Sequence, residues 1–127
     1  MYYKLNNTFT VFCDIDDTLV IWGPPSELKN HPDVFYITST LFSESVPVLV
    51  HWEHVEQLKA HKLRGHQIVI WSYGGSDWGA EVVKALGLTE YVDVVCCKPD
   101  TVYDDLQKED ILLKRSYIPF HGYKEIK

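Results

Sequence analysis

The sequence lacks an apolar run that approaches the eighteen or so residues needed to cross a bilayer. Its first ten residues, MYYKLNNTFT, also lack the basic start and the apolar stretch of a secretion signal. These two absences argue against a membrane-spanning helix. They favour a soluble, cytoplasmic protein that has no membrane partner.

Cysteine and positive charge are also scarce. The three cysteines, Cys13, Cys96 and Cys97, form neither a disulfide framework nor the paired spacing of a zinc site, so we expect reduced thiols in the core. The chain has twelve basic and eighteen acidic residues. The resulting net charge of -6 argues against a protein that binds nucleic acid over a broad surface. At 127 residues the chain is long enough for one domain, 1–127, and too short for a catalytic domain with a large substrate domain.

The sequence does contain regularly spaced apolar residues, which alternate between strand and helix patterns. Nearly continuous β-rich runs at 8–15 and 67–72 predict two strands that are buried on both faces. Apolar residues at helical spacing predict one helix over 52–62, before Gly65, and a second helix that ends at Gly87. Three shorter strands are predicted at 91–97, 101–105 and 112–118. Alternation of this kind predicts an α/β fold with a parallel sheet.

The pattern differs between the first strand and the first helix. The stretch 22–32 carries three prolines and a glycine and is predicted to be loop. The stretch 33–50 is rich in β-branched and aromatic residues, which predicts a β-hairpin. We therefore expect a flap at about 20–51.

Three carboxylates crowd the end of the first predicted strand, in the stretch VFCDIDDTLV. Side chains two residues apart at the end of a strand point to the same side, so Asp14 and Asp16 can face one ligand while Ile15 points into the core. Asp17 is predicted to be structural or exposed, and Thr18 to fix the turn. On its own, such a cluster is as typical of a solvated turn as of catalysis.

Polar residues from further segments are predicted to reach the same edge of the sheet. The carboxyl ends of parallel strands meet at one edge, where open α/β sheets bind their ligands. Ser72 and Lys98 come at or just after predicted strands, and Asp104 and Asp105 follow the short run TVY. Carboxylates, a hydroxyl and an ammonium from separate segments are thus predicted to gather at one edge, which marks it as the candidate functional site.

These motifs resemble those of the haloacid dehalogenase (HAD) superfamily of phosphatases. VFCDIDDTLV is similar to its nucleophile motif, IVIWS to the strand that ends in serine, CKP to the lysine motif and VYDD to the second acidic motif. More closely, the chain looks like small uncharacterised bacteriophage hydrolases, which would place it in the host cytoplasm. The resemblance implies a Rossmann-like, three-layer core with a flap and without a full cap domain.

The resemblance also implies a Mg²⁺-dependent phosphomonoesterase with an aspartyl-phosphate intermediate. Asp14 would be the nucleophile, and Asp16 the acid/base that protonates the leaving oxygen and then activates water. The magnesium ligands would be Asp14, Asp16, Asp104 and Asp105. The phosphoryl oxygens would be held by Ser72, Lys98 and the backbone N–H groups of Tyr73 and Gly74.

The chain departs from the common superfamily layout after the lysine motif. Five residues separate Lys98 from Asp104, whereas a parallel crossover needs about ten or more. The runs at 93–97 and 101–103 therefore cannot be neighbouring strands of a simple βαβ unit, so one of them must be irregular, with Lys98 on the bend. This arrangement looks like the deoxyribonucleotidase branch of the superfamily.

A small phosphorylated molecule is the expected substrate, and the deoxyribonucleotidase likeness favours a nucleoside monophosphate. Three aromatic residues of the flap could stack on its base: Trp22, Phe35 and Tyr36. An open site leaves the 3′- or 5′-phosphate end of DNA or RNA as an alternative substrate. A catalytically idle protein that binds a phosphorylated ligand or a partner protein is a further alternative, although it would need no attacking carboxylate. The oligomeric state is not specified by the sequence.

Two further sets of conspicuous residues are given structural roles. Trp71 and Trp78 lie within apolar patterns and are predicted to pack in the core. The four histidines of 51–66 lie on or beside the first long helix. Because that helix leads away from the predicted site, these histidines are expected to be solvated rather than to bind a metal.

Overall fold

A computed structural model gives the fold of the protein and describes residues 9–105 and 114–120. Its elements in chain order are β1 (Thr10–Asp14), β2 (Val20–Ile21), α1 (Pro25–Leu28), β3 (Phe35–Ile37), β4 (Val46–Val50), α2 (Trp52–Leu63), β5 (Gln67–Ser72), α3 (Ser76–Ala85) and β6 (Val94–Cys97). A 3₁₀ turn at Thr89–Tyr91 comes between α3 and β6. The strands form two three-stranded sheets.

The first sheet is parallel, with the strand order β1-β5-β6. Asp14 lies opposite Trp71, and Ser72 lies opposite Cys97, so the three strands end at one edge. The central strand β5 is covered on both faces, and its Ile70 is fully buried. The predicted α/β class with a parallel sheet is therefore confirmed.

Helices α2 and α3 pack against this sheet. Gly65 and Gly87 follow them with left-handed φ angles of 84° and 69°, a conformation that glycine adopts without strain and that ends helices. Helix α3 approaches β6 closely, since a Cβ on Gly79 would lie 2.9 Å from Val95 Cγ1. The predicted helix at 52–62 and the helix before Gly87 are confirmed. Within residues 9–105 and 114–120, no helix has the length and apolar character needed to span a membrane.

The second sheet is antiparallel, with the order β2-β4-β3, and its strands β3 and β4 form the predicted hairpin. The buried residues Ile37 and Val48 of this flap belong to the same hydrophobic cluster as Ile70 of β5 and Val82 of α3. One core therefore joins the flap to the parallel sheet.

The proline-rich stretch 22–32 is not entirely loop, contrary to the prediction from the sequence, because it contains α1. A proline in the first turn costs the helix no hydrogen bond, since the first N–H groups of a helix have no partner within it. Leu28, at the end of α1, is fully buried and clusters with Ile21 and Leu49. Burial of this one side chain accounts for a helical turn in a segment that its prolines mark as loop.

The predicted strand at 101–105 is wrong, because these residues have no regular structure. Tyr103 is 99% exposed, so this run buries little of the apolar surface that would stabilise a strand. The prediction that one of the two runs around Lys98 must be irregular is confirmed. The regular run is β6, and Lys98 is the first residue after it.

The predicted strand at 112–118 is also wrong where it can be compared with the structure. Residues 112–113 lie outside the described residues, and 114–118 form no strand. The backbone N–H of Ile118 donates to His54, and its carbonyl pairs with His51. These histidines therefore use the backbone groups through which Ile118 would join a sheet.

The three cysteines are free thiols. Cys13 and Cys96 are half-buried, whereas Cys97 is exposed, so the prediction of core cysteines is wrong for Cys97. Burial, with a smaller contribution from the Asp14 carboxylate, raises the pKa of the Cys13 thiol to about 12. Cys13 is therefore a protonated, unreactive thiol at neutral pH.

Candidate active site

The turn after β1 carries the first acidic motif. The Leu19 N–H donates to the Ile15 carbonyl at 2.8 Å, which turns the chain sharply just after Asp14. Asp17 has a left-handed φ of 59°, a region that aspartate tolerates better than most residues. Its Oδ1 accepts a hydrogen bond from the Trp22 backbone N–H at 3.2 Å. Asp17 therefore shapes the turn, in agreement with its predicted structural role.

Lys98 reaches from the end of β6 towards Asp14, with 3.4 Å between Nζ and Oδ1. Its backbone N–H donates to the Ser72 carbonyl at 3.0 Å, which fixes the start of the loop beside the end of β5. The side chains of Lys98 and Asp14 are 22% and 32% exposed, so water screens part of their attraction. The structure thus brings together three residues that were predicted to meet at one edge: Asp14, Ser72 and Lys98.

The loop after β5 passes close to Asp16. Ser72 is fully buried, and its Oγ accepts a hydrogen bond from the Gly74 N–H at 2.9 Å. The Gly74 N–H, predicted as a phosphate donor, is therefore engaged within the loop. A Cβ at Gly74 would lie 3.2 Å from Ser72 Oγ and 3.6 Å from Asp16 Oδ2. Glycine therefore lets the loop backbone pass close to these two side chains. Tyr73 is 74% exposed, and its ring centroid lies 4.9 Å from Lys98 Nζ, within cation–π range.

Asp16 is held by two tryptophans. Its Oδ1 accepts hydrogen bonds from Trp22 Nε1 at 2.7 Å and from Trp78 Nε1 at 3.0 Å. The two indole rings lie 5.8 Å apart between centroids. Trp78 packs in the core as predicted, but its bond to Asp16 was not predicted. An indole N–H is a donor that needs a partner when buried, and this rule indicates an acceptor near Trp78 without identifying it.

A cavity of about 250 Å³ opens beside Asp16. Its lining comes from the turn after β1, the flap, the loop after β5 and α3, and comprises Asp16, Trp22, Leu41, Phe42, Gly74 and Trp78. Phe42 and Trp78 meet edge to face, with 5.7 Å between ring centroids. Leu41 and Phe42 were not among the predicted site residues, because no periodic pattern marks the tip of a hairpin.

Two of the three aromatic residues predicted to stack on a base lie elsewhere in the flap. Phe35 packs edge-on against Trp52, with 5.9 Å between ring centroids. Tyr36 is 49% exposed and lies opposite Pro47 in the β3–β4 pair. Of the three predicted residues, the cavity beside Asp16 is lined by Trp22.

The tip of the flap is tied to α3 through Glu81. The hydroxyl of Ser39 donates to Oε2 of Glu81, and the N–H and hydroxyl of Thr40 donate to Oε1 at 3.0 and 2.7 Å. The hydrogen bonds from Ser39 and from Thr40 lower the pKa of the Glu81 carboxyl. They hold the two residues that directly precede Leu41 and Phe42.

Two of the four histidines of 51–66 are buried rather than solvated, which corrects the prediction: His51 is 1% exposed and His54 8% exposed. Nε2 of His54 accepts from the Ile118 N–H at 2.8 Å, so the neutral ring carries its proton on Nδ1 and donates to the Thr18 carbonyl at 2.7 Å. Burial lowers the pKa of His54, which favours this neutral form. His54 thus fastens the segment around Ile118 to the turn that carries Asp16.

Asp104 and Asp105 lie in the exposed, irregular segment after β6. In the part of the chain that the structure describes, no three histidine, cysteine or acidic side chains are grouped closely enough to hold a metal ion. Asp14 and Asp16 offer carboxylate oxygens at one edge of the sheet, and such oxygens are the ligands that Mg²⁺ prefers. The chemistry of these two side chains suits Mg²⁺, and magnesium binding by Asp14, Asp16, Asp104 and Asp105 stays a prediction.

The fold and the site define a small α/β protein with a carboxylate pair at the carboxyl edge of a parallel sheet. Residues 3–126 match the model of the family described as "Protein of unknown function (DUF705)", and the chain belongs to that family. No curated protein and no solved structure matches the chain. Its function must therefore be argued from the site.

Proposed function

We propose that this protein is a Mg²⁺-dependent phosphomonoesterase with a core of the haloacid dehalogenase type, working through an aspartyl-phosphate intermediate. The observation that carries the proposal is the pair Asp14 and Asp16 at the end of β1, with Lys98 Nζ 3.4 Å from Asp14 Oδ1. Phosphoryl transfer of this kind needs a nucleophile, an acid and positive charge at one point. These three residues supply all of them.

The reaction has two steps. In the first, a carboxylate oxygen of Asp14 attacks phosphorus, the bond to the ester oxygen breaks, and Asp16 gives that oxygen its proton. In the second, water attacks the phosphorus of the aspartyl phosphate, Asp16 accepts a proton from the water, and inorganic phosphate leaves the Asp14 carboxylate. Lys98 stabilises the phosphoryl oxygens on which charge develops. The Ser72 hydroxyl accepts from the Gly74 N–H and still has its own proton to donate, but it is fully buried, so it reaches a phosphoryl oxygen only if the loop after β5 shifts.

Asp14 and Asp16 are the residues that would hold Mg²⁺, together with Asp104 or Asp105 from the segment after β6. When bound, the ion supplies positive charge that offsets the repulsion between these carboxylates and the phosphoryl group. Lys98 contributes one further positive charge from the chain itself. The single positive charge of Lys98 cannot balance the two carboxylates and the phosphoryl group. A divalent ion is therefore part of the proposal.

Nucleoside monophosphates are the substrates that we propose among phosphomonoesters. The aromatic lining of the cavity beside Asp16 supports a substrate with a flat group. The net charge of -6 argues against a surface that follows a long polyanion, so the ends of DNA or RNA are less favoured.

Hydrolysis of p-nitrophenyl phosphate tests the proposed function. Purified protein should hydrolyse this ester with Mg²⁺ and stop when a chelator removes the ion. Asp14→Asn should lower kcat by at least about a thousandfold, because an amide cannot attack phosphorus. Turnover like that of the wild type in this variant would contradict the covalent intermediate and leave direct attack by water.

Asp17→Asn is the matched control, since it makes the same change in the same turn. Asparagine keeps an oxygen that can accept from the Trp22 N–H, and it tolerates the left-handed φ of 59°. Its kcat should stay within about twofold of the wild type. A large loss in this control would mean that the turn, and not the nucleophile, limits turnover.

A further inference from the structure

The cavity beside Asp16 has a lining that phosphoryl transfer alone does not need. Three of its walls are the aromatic rings of Trp22, Phe42 and Trp78, and Leu41 adds a fourth apolar side chain. Phe42 and Leu41 are 49% and 50% exposed although they are large and apolar. Exposed apolar side chains gathered around a cavity mark a surface that a ligand covers.

We propose that this cavity is the leaving-group subsite, that it takes one planar aromatic ring, and that Phe42 is the residue that selects for the ring. The proposal rests on the proposed phosphomonoesterase function, in which Asp16 protonates the leaving oxygen. Asp16 also lines the cavity. Whatever fills the cavity therefore belongs to the leaving group, either next to the leaving oxygen or, as in a nucleotide, joined to it through the sugar.

The size of the cavity suits a single ring. Its volume of about 250 Å³ lies below the roughly 300–1,000 Å³ of pockets that enclose drug-sized ligands. One ring system is enough to fill a space of this size. The remainder of the substrate then lies towards the polar residues at the strand ends.

The lining also favours a flat ring over a sugar. Both indole N–H groups are donated to Asp16 Oδ1, from Trp22 at 2.7 Å and from Trp78 at 3.0 Å. An indole has one N–H, so these two walls offer ring surface and no further donor. A sugar hydroxyl would lose its hydrogen bonds to water against them, whereas a flat ring gains stacking contacts.

The wall that Phe42 forms is positioned by α3. Glu81 accepts hydrogen bonds from Ser39 and Thr40, just before the two flap residues that line the cavity. Glu81 and Trp78 belong to the same helix, α3. Two adjoining walls, Phe42 and Trp78, are therefore linked through one helix, so less of the flap has to become ordered when a ring binds.

The test compares uridine 5′-monophosphate with ribose 5-phosphate, which share the sugar, the phosphate and the leaving oxygen and differ by the base. We expect the wild-type kcat/KM to favour the nucleotide about tenfold or more. Phe42→Ala should reduce this preference to less than about twofold, whereas Phe42→Tyr, which keeps a ring, should retain it. Phe9→Ala is the matched control, because Phe9 is a similarly exposed phenylalanine, 54% against 49%, placed just before β1 at the opposite end of the sheet.

Equal kcat/KM values for the two esters in the wild type, or a preference that survives Phe42→Ala, would overturn the subsite. Loss of the preference in Tyr36→Ala, with Phe42→Ala unaffected, would also overturn it, because the base would then lie on another part of the flap.

Dissociation constants separate failure of the subsite from failure of the proposed function. They are measured for the same two esters in Asp14→Asn, with and without Phe42→Ala, so that no turnover is needed. If neither ester is hydrolysed by the wild type, tighter binding of the nucleotide that Phe42→Ala removes still supports the ring subsite. Equal dissociation constants overturn the subsite, whether or not the protein is a phosphatase.

Discussion

The candidate site has a polar half at the ends of the parallel strands and an aromatic half beneath the flap. The polar half consists of Asp14, Ser72 and Lys98. The aromatic half consists of Asp16, Trp22, Phe42 and Trp78. Although Asp14 and Asp16 are separated by a single residue, Asp14 faces an ammonium and Asp16 faces two neutral indole donors.

The two halves also differ in what fixes them. Backbone pairing of three adjacent strands fixes the polar half. The hydrogen bond from the Lys98 N–H to the Ser72 carbonyl extends the β5–β6 pairing by one residue. Side chains from the flap and α3 fix the aromatic half, through the tie to Glu81. We infer that the groups that handle charge rest on the sheet, whereas selectivity rests on contacts that substitution can change without disturbing the sheet.

Of the changes that separate the two halves, Asp16→Asn should lower activity most. Asp16 lines the aromatic cavity and is also the proposed acid/base of the reaction. Asparagine keeps an oxygen that both indoles can bond but has no proton to transfer. We expect kcat for ribose 5-phosphate to fall about 10²- to 10⁴-fold, with little change in urea denaturation. The loss should be smaller for the first step with p-nitrophenyl phosphate, whose leaving group departs without a proton. Equal losses for the first step with both esters would contradict the acid role.

Lys98→Ala removes the ammonium of the polar half and leaves the aromatic half unchanged. Removing a fixed charge beside the phosphoryl group should lower kcat/KM about 10²-fold or more. The free energy of unfolding, from urea denaturation, should change by less than about 1 kcal/mol, because the pair with Asp14 is partly exposed. Lys59→Ala is the control: it removes a partly exposed pair with Glu56 on α2 and a contact with the Tyr91 ring, far from Asp14, and should leave kcat/KM unchanged and change the free energy of unfolding by less than about 1 kcal/mol. Unchanged activity in Lys98→Ala would exclude it from the phosphoryl site.

Glu81→Ala loosens the aromatic half and should have the smallest effect. The preference for uridine 5′-monophosphate over ribose 5-phosphate should fall a few-fold, because the flap tip must then be ordered when the ring binds. Full preference in this variant would show that the flap tip does not depend on α3.

The tie between the flap and α3 should also depend on pH. Hydrogen bonds from Ser39 and then Thr40 lower the pKa of Glu81 below its ordinary value of 4.5. A carboxyl whose pKa is lowered by folding stabilises the folded form above its ordinary pKa, and loses that contribution as the pH falls through the lowered value. The ratio of the two dissociation constants in Asp14→Asn should therefore decline only at acid pH, since the ionisation of the shared phosphate cancels in the ratio. A ratio that declines already near neutral pH would contradict a role for Glu81.

The polar half could be predicted because local patterns determine where strands end. The apolar runs at 8–15 and 67–72 end at carboxylates and at Ser72, and the rule for parallel sheets then places these ends together. The same rule did not extend to Asp104 and Asp105. Their short run is β-rich in composition, but burial decides whether such a run forms a strand, and Tyr103 is 99% exposed.

The aromatic half could not be predicted because its contacts join residues that are far apart in the chain. Trp78 is 62 residues from Asp16, and Ser39 is 42 residues from Glu81. The helical spacing of Trp78 is the same whether or not its N–H binds a carboxylate. The burial of His54 could not be predicted for the same reason. Its partner Ile118 is 64 residues away and lies in a segment without regular structure.

Phosphorylation of Asp14 during turnover is the step on which the proposed function depends. The direct measurement is acid quenching of the protein during turnover of p-nitrophenyl phosphate with radiolabelled phosphorus, followed by identification of the labelled peptide by mass spectrometry. We predict a hydroxylamine-sensitive label on Asp14, absent in Asp14→Asn and increased in Asp16→Asn, because the second step lacks its base there. Steady turnover without any label on the protein, in the wild type and in Asp16→Asn alike, would contradict the aspartyl-phosphate intermediate.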